Sequence, residues 1–229
     1  MNESTSAQEL LWQAVGIEGI SIVLLGDFNP KIIQPSWLAC QGLIAKGEAE
    51  AADVKIITPD VSVFKLEWLT IQVTRERYSA STTQAAFFEA VRDLVVGTFS
   101  ILRHTPARAM GINRDAHFRV STVERWNALG DRWAPKEFWK QVLEKPGLLT
   151  LIIDSPRPGK HPGRMRVQVE PSGKVEPGVF CAINDHYSIE KDQSASGCEI
   201  LISILRDCWD ESMHRSREII LKTIEESRR

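Results

Sequence analysis

The stretch from Leu66 to Val120 decides the fold, and it reads LEWLTIQVTRERY (66–78), TTQAAFFEAVRDLVVGTFSILRH (82–104) and ARAMGINRDAHFRV (107–120). In the first segment, Leu69, Ile71 and Val73 alternate with polar residues, which is typical of a strand with one face in water. In the second segment, apolar residues recur at steps of three and four, which is typical of an amphipathic helix. The order strand, long helix, strand predicts a helix that crosses a sheet.

The segments on either side repeat these element types. Before the central helix we predict strands at 20–25, 54–58, 61–66 and 68–75, and a helix that begins at Pro35. After it we predict strands at 108–120, 148–153, 165–170 and 179–189, helices at 123–129 and 135–143, and a final helix at about 195–226. Each half of the chain, 1–105 and 106–229, then has the order β-α-β-β-β-α.

Strands that follow one another without a helix between them indicate antiparallel pairing, because parallel neighbours need long crossover connections. We therefore predict an α+β fold with a largely antiparallel sheet, long helices packed on one side, and both halves in one compact domain. The segments GINRDAHFRV (from Gly111) and AINDHYSIEK (from Ala182) each place Ile-Asn before a His and an aromatic residue. This echo favours a duplication, and the matching element order is the stronger argument for it.

The composition argues against several classes of function. The 229 residues carry a formal net charge of −2, so no chain-wide positive field attracts nucleic acid or membrane. The four cysteines lie far apart without a CxxC pair, which argues against a zinc ribbon or a redox dithiol. The first residues, MNESTSAQELLWQ, lack a signal-peptide pattern, and no apolar run reaches the roughly 20 residues of a membrane-spanning helix. We expect a cytoplasmic protein with reduced cysteines, no cofactor and no metal.

The two echo segments hold the best candidates for catalysis. Two histidines and two aspartates, His117 and His186 with Asp115 and Asp185, would converge if their strands paired about a twofold axis. They would provide a general base oriented by a carboxylate, or a metal site, and His117, Asp185 and His186 are the candidates. The alternative is that they are polar residues of turns and of the sheet surface. No nucleophile elbow, HExxH, Walker loop or GxGxxG motif occurs. The sequence favours a protein without enzymatic activity.

The loop 155–166, SPRPGKHPGRMR, has the most biased composition. It holds four basic residues and no acidic one: Arg157, Lys160, Arg164 and Arg166. A basic loop between two strands can contact phosphates, as in backbone-directed binding of nucleic acid. It lacks the interleaved aromatic residues that stack on single-stranded bases, so a solvated hairpin loop is the simpler interpretation.

Two apolar features of the second half each have two interpretations. Trp126, Trp133 and Trp139 either line a ligand cavity over the sheet or belong to its core. Near the end of the chain, Ile220 and Ile224 lie four residues apart on a helix longer than a small sheet requires. They form either a ridge that contacts a partner or part of a frayed, solvated end.

One further pattern lies in the middle third of the chain. The run IQVTRERYSAS precedes an aromatic-rich helix, a GIN strand follows, and Tyr78, Gly111 and Asn113 mark the pattern. At these positions the chain resembles a large, sporadically distributed family of uncharacterised bacterial proteins. The resemblance implies an intracellular bacterial or mobile-element setting, and it implies no activity.

Three hypotheses about function follow. The first is a non-enzymatic interaction or assembly subunit of a bacterial intracellular complex, in a defence or mobile-element context, which docks to itself or to a protein partner through its long helices and sheet edges. The second is an accessory protein that contacts nucleic acid through the basic loop. The third is a small-molecule-binding or metal-dependent barrel centred on His117 and His186. None of them involves a membrane.

Overall fold

The computed structural model describes residues 2–189 and 197–229. Nine strands form one sheet: β1 (Val15–Gly26), β2 (Asp53–Ile57), β3 (Val61–Lys65), β4 (Thr70–Thr74), β5 (Arg77–Thr82), β6 (Ala107–Arg119), β7 (Leu151–Pro156), β8 (Gly163–Pro171) and β9 (Gly178–Ser188). The helices are α1 (Asn2–Trp12), α2 (Pro35–Cys40), α3 (Lys46–Glu50), α4 (Phe88–Ile101), α5 (Val123–Trp133) and α6 (Glu199–Arg228). The predicted start of the last helix, at 195, lies outside the described residues.

The sheet confirms the predicted α+β class. Its strand order is β2-β3-β4-β5-β1-β6-β9-β8-β7, and every neighbouring pair is antiparallel. The ladder between β1 and β6 lies at the centre and crosses the predicted boundary between 1–105 and 106–229. Both halves of the chain therefore contribute to one continuous sheet.

The first half has one strand more than predicted. β5 pairs with β1 on one side and with β4 on the other, so four strands follow α3 before α4 begins. Its sequence, RYSAST, carries only Tyr78 and Ala80 as apolar residues, which is why it shows no apolar run. The predicted order β-α-β-β-β-α is therefore wrong for the first half, and the structure does not confirm a duplication.

The predicted helix at 135–143 is also wrong. The segment contains a single 3-10 turn, Trp139–Gln141. Phe138 and Trp139 are 62% and 48% exposed, so no apolar face of this segment is buried against the sheet. A short helix is stable mainly when such a face packs on the fold. Among the described residues, none of the helices combines the length and the apolar character needed to cross a bilayer.

Helices α4 and α6 cover one face of the sheet, as predicted. On β6, Met110 and Ile112 point toward the helices and are fully buried. The alternate residues Gly111, Asn113 and Asp115 lie on the other face, which carries mostly polar side chains. The alternation of a strand therefore separates an apolar helix-covered face from a polar open face.

Arg114 joins the central strands to the helices. It lies on the covered face, where its Nη2 is 2.7 Å from Glu18 Oε2 on β1. Its Nη1 donates to the Met213 carbonyl of α6 at 3.1 Å, and its guanidinium lies 5.0 Å from the ring centroid of Trp12 at the end of α1. One buried cation thus connects both central strands, α1 and α6.

Replacing Arg114 with Met removes this cation and leaves Glu18 largely buried without its partner. We expect the free energy of unfolding to decrease by about 3–5 kcal/mol, the usual cost of breaking a buried ion pair. Urea denaturation followed by circular dichroism measures the change. The matched control is Arg75→Met, because Arg75 pairs with Asp60 where the two side chains are 67% and 72% exposed. Such a surface pair contributes about 0–1 kcal/mol, so equal losses in both variants would contradict the prediction.

Candidate interaction surface

The structure does not bring the predicted catalytic residues together. His117 lies opposite Phe180 in the ladder between β6 and β9. His186 lies opposite Gly111, six positions further along, which is a separation of roughly 20 Å. The sheet is also open, with β2 and β7 at its two edges, so the predicted barrel around these histidines is wrong.

Asp185 lies on the covered face and is bound by several groups inside the fold. Its Oδ1 accepts from Arg157 Nε at 2.8 Å. Its Oδ2 accepts from the Tyr187 hydroxyl at 3.2 Å and from Arg215 Nη1 of α6 at 3.4 Å. Because both oxygens are bound and the residue is fully buried, Asp185 is not available to orient His186 on the opposite face.

Arg157 is the anchor of the loop between β7 and β8, and not a surface group. Its side chain is 1% exposed, and its guanidinium stacks at 4.0 Å on the ring of Tyr187 besides pairing with Asp185. Burial is the largest single effect and lowers the pKa of Arg157. Tyr187 and Asp185 together outweigh it, so the pKa is raised. The prediction that Arg157 contacts phosphate is therefore corrected, because the side chain is already enclosed.

The other three basic residues of this loop region lie at the surface. Lys160 is exposed, and the side chains of Arg164 and Arg166 on β8 are 54% and 56% exposed. Both arginines pair with Asp154 of β7, and hydrogen bonding by Arg164 lowers the pKa of that carboxyl. Asp154 offsets part of the positive charge, so phosphate binding by Lys160, Arg164 and Arg166 stays a prediction that no contact in the structure favours.

Both histidines have a lowered pKa, and burial is the main cause. His117 is 6% exposed, its Nδ1 lies 2.8 Å from Ser172 Oγ, and the charge of Lys174 adds to the effect of burial. For His186, the charge of Arg166 adds to burial. Within the described residues, no group of three or more His, Cys, Asp or Glu side chains is placed to hold a metal ion.

The lowered pKa of His117 predicts a loss of stability in mild acid. The ordinary histidine pKa is 6.5, so the unfolded chain takes up protons that the folded chain binds less well as the pH falls through this value. This stability is complete above that pKa and is lost below it. Between about pH 7.5 and about pH 5.5, we expect the free energy of unfolding of His117→Gln to fall less than that of the wild type, as measured by urea denaturation.

The control for this experiment is His214→Gln, because the His214 side chain is 75% exposed. It should leave the pH dependence of stability unchanged. If His117→Gln has the same pH dependence as the wild type, His117 is not the group responsible.

The predicted partner ridge at Ile220 and Ile224 is corrected by its position. The two side chains are 0% and 1% exposed and pack with Phe118 and Val179 in the core. The helix α6 has 30 residues, a length of roughly 45 Å. The helix lies along β6 and β9, since Arg114 of β6 donates to Met213 and Phe118, further along the same strand, packs with Ile220. The 13 residues of β6 span roughly 43 Å, close to the length of the helix. The helix therefore covers the sheet instead of projecting from it.

Trp126 and Trp133 lie at a small cavity between α5 and the ends of β8 and β9. The cavity has a volume of about 90 Å³, and Leu129 and Leu148 also line it. Trp126 Nε1 donates to the Gly178 carbonyl at 2.8 Å, which fixes the ring. Ligand pockets usually have at least about 300 Å³, so this cavity has the size of one side chain and not of a metabolite.

Exposed apolar side chains concentrate in the segment 138–153. Thirteen large apolar residues of the described chain are exposed, and seven of them, named here the apolar surface, lie in this segment: Phe138, Trp139, Val142, Leu143, Leu149, Ile152 and Ile153. Lys136, just before this segment, and Leu148, within it, line the same small cavity, so the chain returns to the same place between these two positions. Seven side chains about half exposed leave on the order of 800 Å² accessible in total. This area is divided between the two faces of β7, because Ile152 and Ile153 are successive strand residues, and the segment that precedes the strand.

The edge strand β7 begins within this segment. It pairs with β8 in regular register from Leu151 to Pro156, and Ile152 and Ile153 are 51% and 56% exposed. Its single charged residue is Asp154. Among the residues that the structure describes, no strand pairs with the outer side of β7.

The other edge strand, β2, is protected against further pairing. It alternates charged and apolar residues, with Asp53 and Lys55 exposed, and its register with β3 is irregular between Val54 and Ile56. Charges and irregular pairing are common devices that block the addition of another strand. The two edges of the sheet therefore differ, and β7 is the one open to pairing.

Sequence reasoning named sheet edges in general and missed this surface in particular. The signal was present in the run LLTLIIDSP, from Leu148, where apolar residues occupy both faces of one strand. A comparison with protein-family models finds no match to this chain, and a comparison with curated proteins finds none either. The resemblance to a sporadic bacterial family stays an interpretation of the residues that carry it.

Proposed function

We propose that this protein is a non-enzymatic interaction subunit, which binds a protein partner or a second copy of itself through the apolar surface and the edge strand β7. The observation that carries the proposal is the concentration of exposed apolar side chains beside an unprotected sheet edge. Apolar area of this size is unfavourable in water, and in folded proteins it usually marks a site of association. An added strand would supply main-chain hydrogen bonds, and the apolar surface would supply buried area.

The polar groups of the sheet support a role without catalysis. His117 and His186 lie far apart, and the charge of Asp185 is used inside the fold by Arg157 and Arg215. We propose a cytoplasmic location, which is supported by four free cysteines, three of them buried, as is usual in a reducing compartment. The bacterial setting rests on the family resemblance. A defence or mobile-element context belongs to the same proposal and rests on the family resemblance alone.

Replacing Phe138, Trp139 and Leu149 together with Ser tests the proposal. In extracts of the native host, the wild type should elute from a sizing column above the 25.8 kDa of one chain. The triple variant should elute at the mass of one chain, because about half of the exposed apolar area has been removed. Immunoblotting of the column fractions measures both.

The matched control is the triple variant Leu10→Ser, Ile101→Ser and Ile200→Ser. These side chains are 59%, 45% and 37% exposed and lie outside the apolar surface. The control should elute like the wild type. A wild type that elutes as one chain, or a control that loses its complex to the same degree, would contradict the proposed function.

A further inference from the structure

We infer that the partner at β7 is a second copy of this chain, whose own β7 pairs with it antiparallel about a twofold axis. The two nine-stranded sheets then become one continuous sheet. This inference rests on the proposed function, to which it adds the identity of the partner and the register of the contact.

The charges on β7 permit pairing with an identical strand. Like charges that meet across two strands oppose pairing. Asp154 is the one charged residue of β7, and Arg164 and Arg166 on the neighbouring strand already bind its carboxylate. The edge that meets the copy therefore carries no uncompensated negative charge.

Symmetry restricts the register of the two strands. When the axis is perpendicular to the sheet, the polar faces of both copies lie on the same side, so residues directly opposite share a face. The axis then passes midway between one residue and the same residue of the other copy. An axis at Ile152 places Ile152 opposite itself and Leu151 opposite Ile153. An axis at Ile153 instead places Ile152 opposite Asp154. The first register pairs apolar residues with apolar ones, which stabilises neighbouring strands.

The accessible area agrees with a stable dimer. Each partner of a standard protein interface contributes about 800 Å², and the summed accessible area of the apolar surface, over both faces of β7 and the segment before it, is of that order. A twofold contact uses the same strand in both copies, so the assembly is complete with two chains. Pairing of β7 with β2 of another copy would leave edges free and would build an open filament. The irregular ladder at β2 opposes this second arrangement.

Light scattering on the purified full-length chain tests the dimer. The wild type should have twice the 25.8 kDa of one chain. Ile152→Lys should have the mass of one chain, since it places two like charges opposite each other at the axis. Ile56→Lys is the matched control on β2, where Ile56 is 42% exposed, and it should stay a dimer. Thermal unfolding curves of both variants verify that they are folded.

The outcomes separate this inference from the proposed function. A wild type that is a single chain when purified, yet part of a larger complex in host extracts, would overturn the inference and leave the proposed function standing. A single chain in both settings would overturn both. A dimer that persists in Ile152→Lys would overturn the inference.

Cysteine cross-linking tests the register without disturbing the edge. Directly opposite residues in an antiparallel pair have Cα atoms about 4.5–5.5 Å apart, within the range of a disulfide. In a Cys40→Ser background, which removes the exposed native thiol, Ile152→Cys should form a covalent dimer on mild oxidation. Ile153→Cys, two positions off register, and Ile56→Cys, on β2, should not. Equal or faster cross-linking in either control would overturn the inference.

Discussion

The antiparallel ladder between β1 and β6 is the contact on which the rest of the structure depends. It joins the strands of the first half to those of the second. Its register places Ile22 opposite Ile112 on the covered face and Ser21 opposite Asn113 on the open face. A slip of one residue would exchange the two faces and expose the core to water. This register therefore places the apolar side chains of both strands on the face that the helices cover. It also places the polar side chains of both strands on the open face.

The open sheet has two edge strands, β2 and β7, and they differ in charge and in regularity. β2 is irregular and charged. β7 is regular and apolar, and the loop that leaves it is fixed by Arg157, whose side chain is bound by Asp185 beneath α6. The buried ion pair holds the loop between β7 and β8 in place. In the interaction proposed above, a strand held in this way would lose little conformational entropy.

The sequence predicted those parts of the fold whose signals are local. The alternation at Leu69, Ile71 and Val73 and the apolar stripe of α4 both correspond to observed elements. β5 was missed because small residues such as Ser79 and Ala80 form a buried strand without an apolar run. The turn at 135–143 was mistaken for a helix because its apolar residues are exposed, and periodicity alone does not indicate what covers a face.

The candidate site depended on contacts between distant parts of the chain, which local pattern does not contain. Arg157 and Arg164 look alike in a basic loop, yet only the ladder of β8 with β9 brings Asp185 beneath the first of them. Ile220 and Ile224 have the same spacing whether they meet a partner or the chain's own core. Their burial follows from the length of β6 and β9, along which the helix lies.

The position of exposed apolar residues on a strand edge restricts how a partner could bury them. The hydrophobic effect is proportional to area and does not by itself select a geometry. A strand edge does select one, because its unpaired N–H and C=O groups accept another backbone only in extended conformation and in a fixed register. Where Ile152 and Ile153 lie on such an edge, apolar burial and main-chain hydrogen bonding require the same arrangement of the partner. Val54 and Ile56 are exposed on the other edge strand, β2, but there the charges of Asp53 and Lys55 and the irregular ladder oppose further pairing.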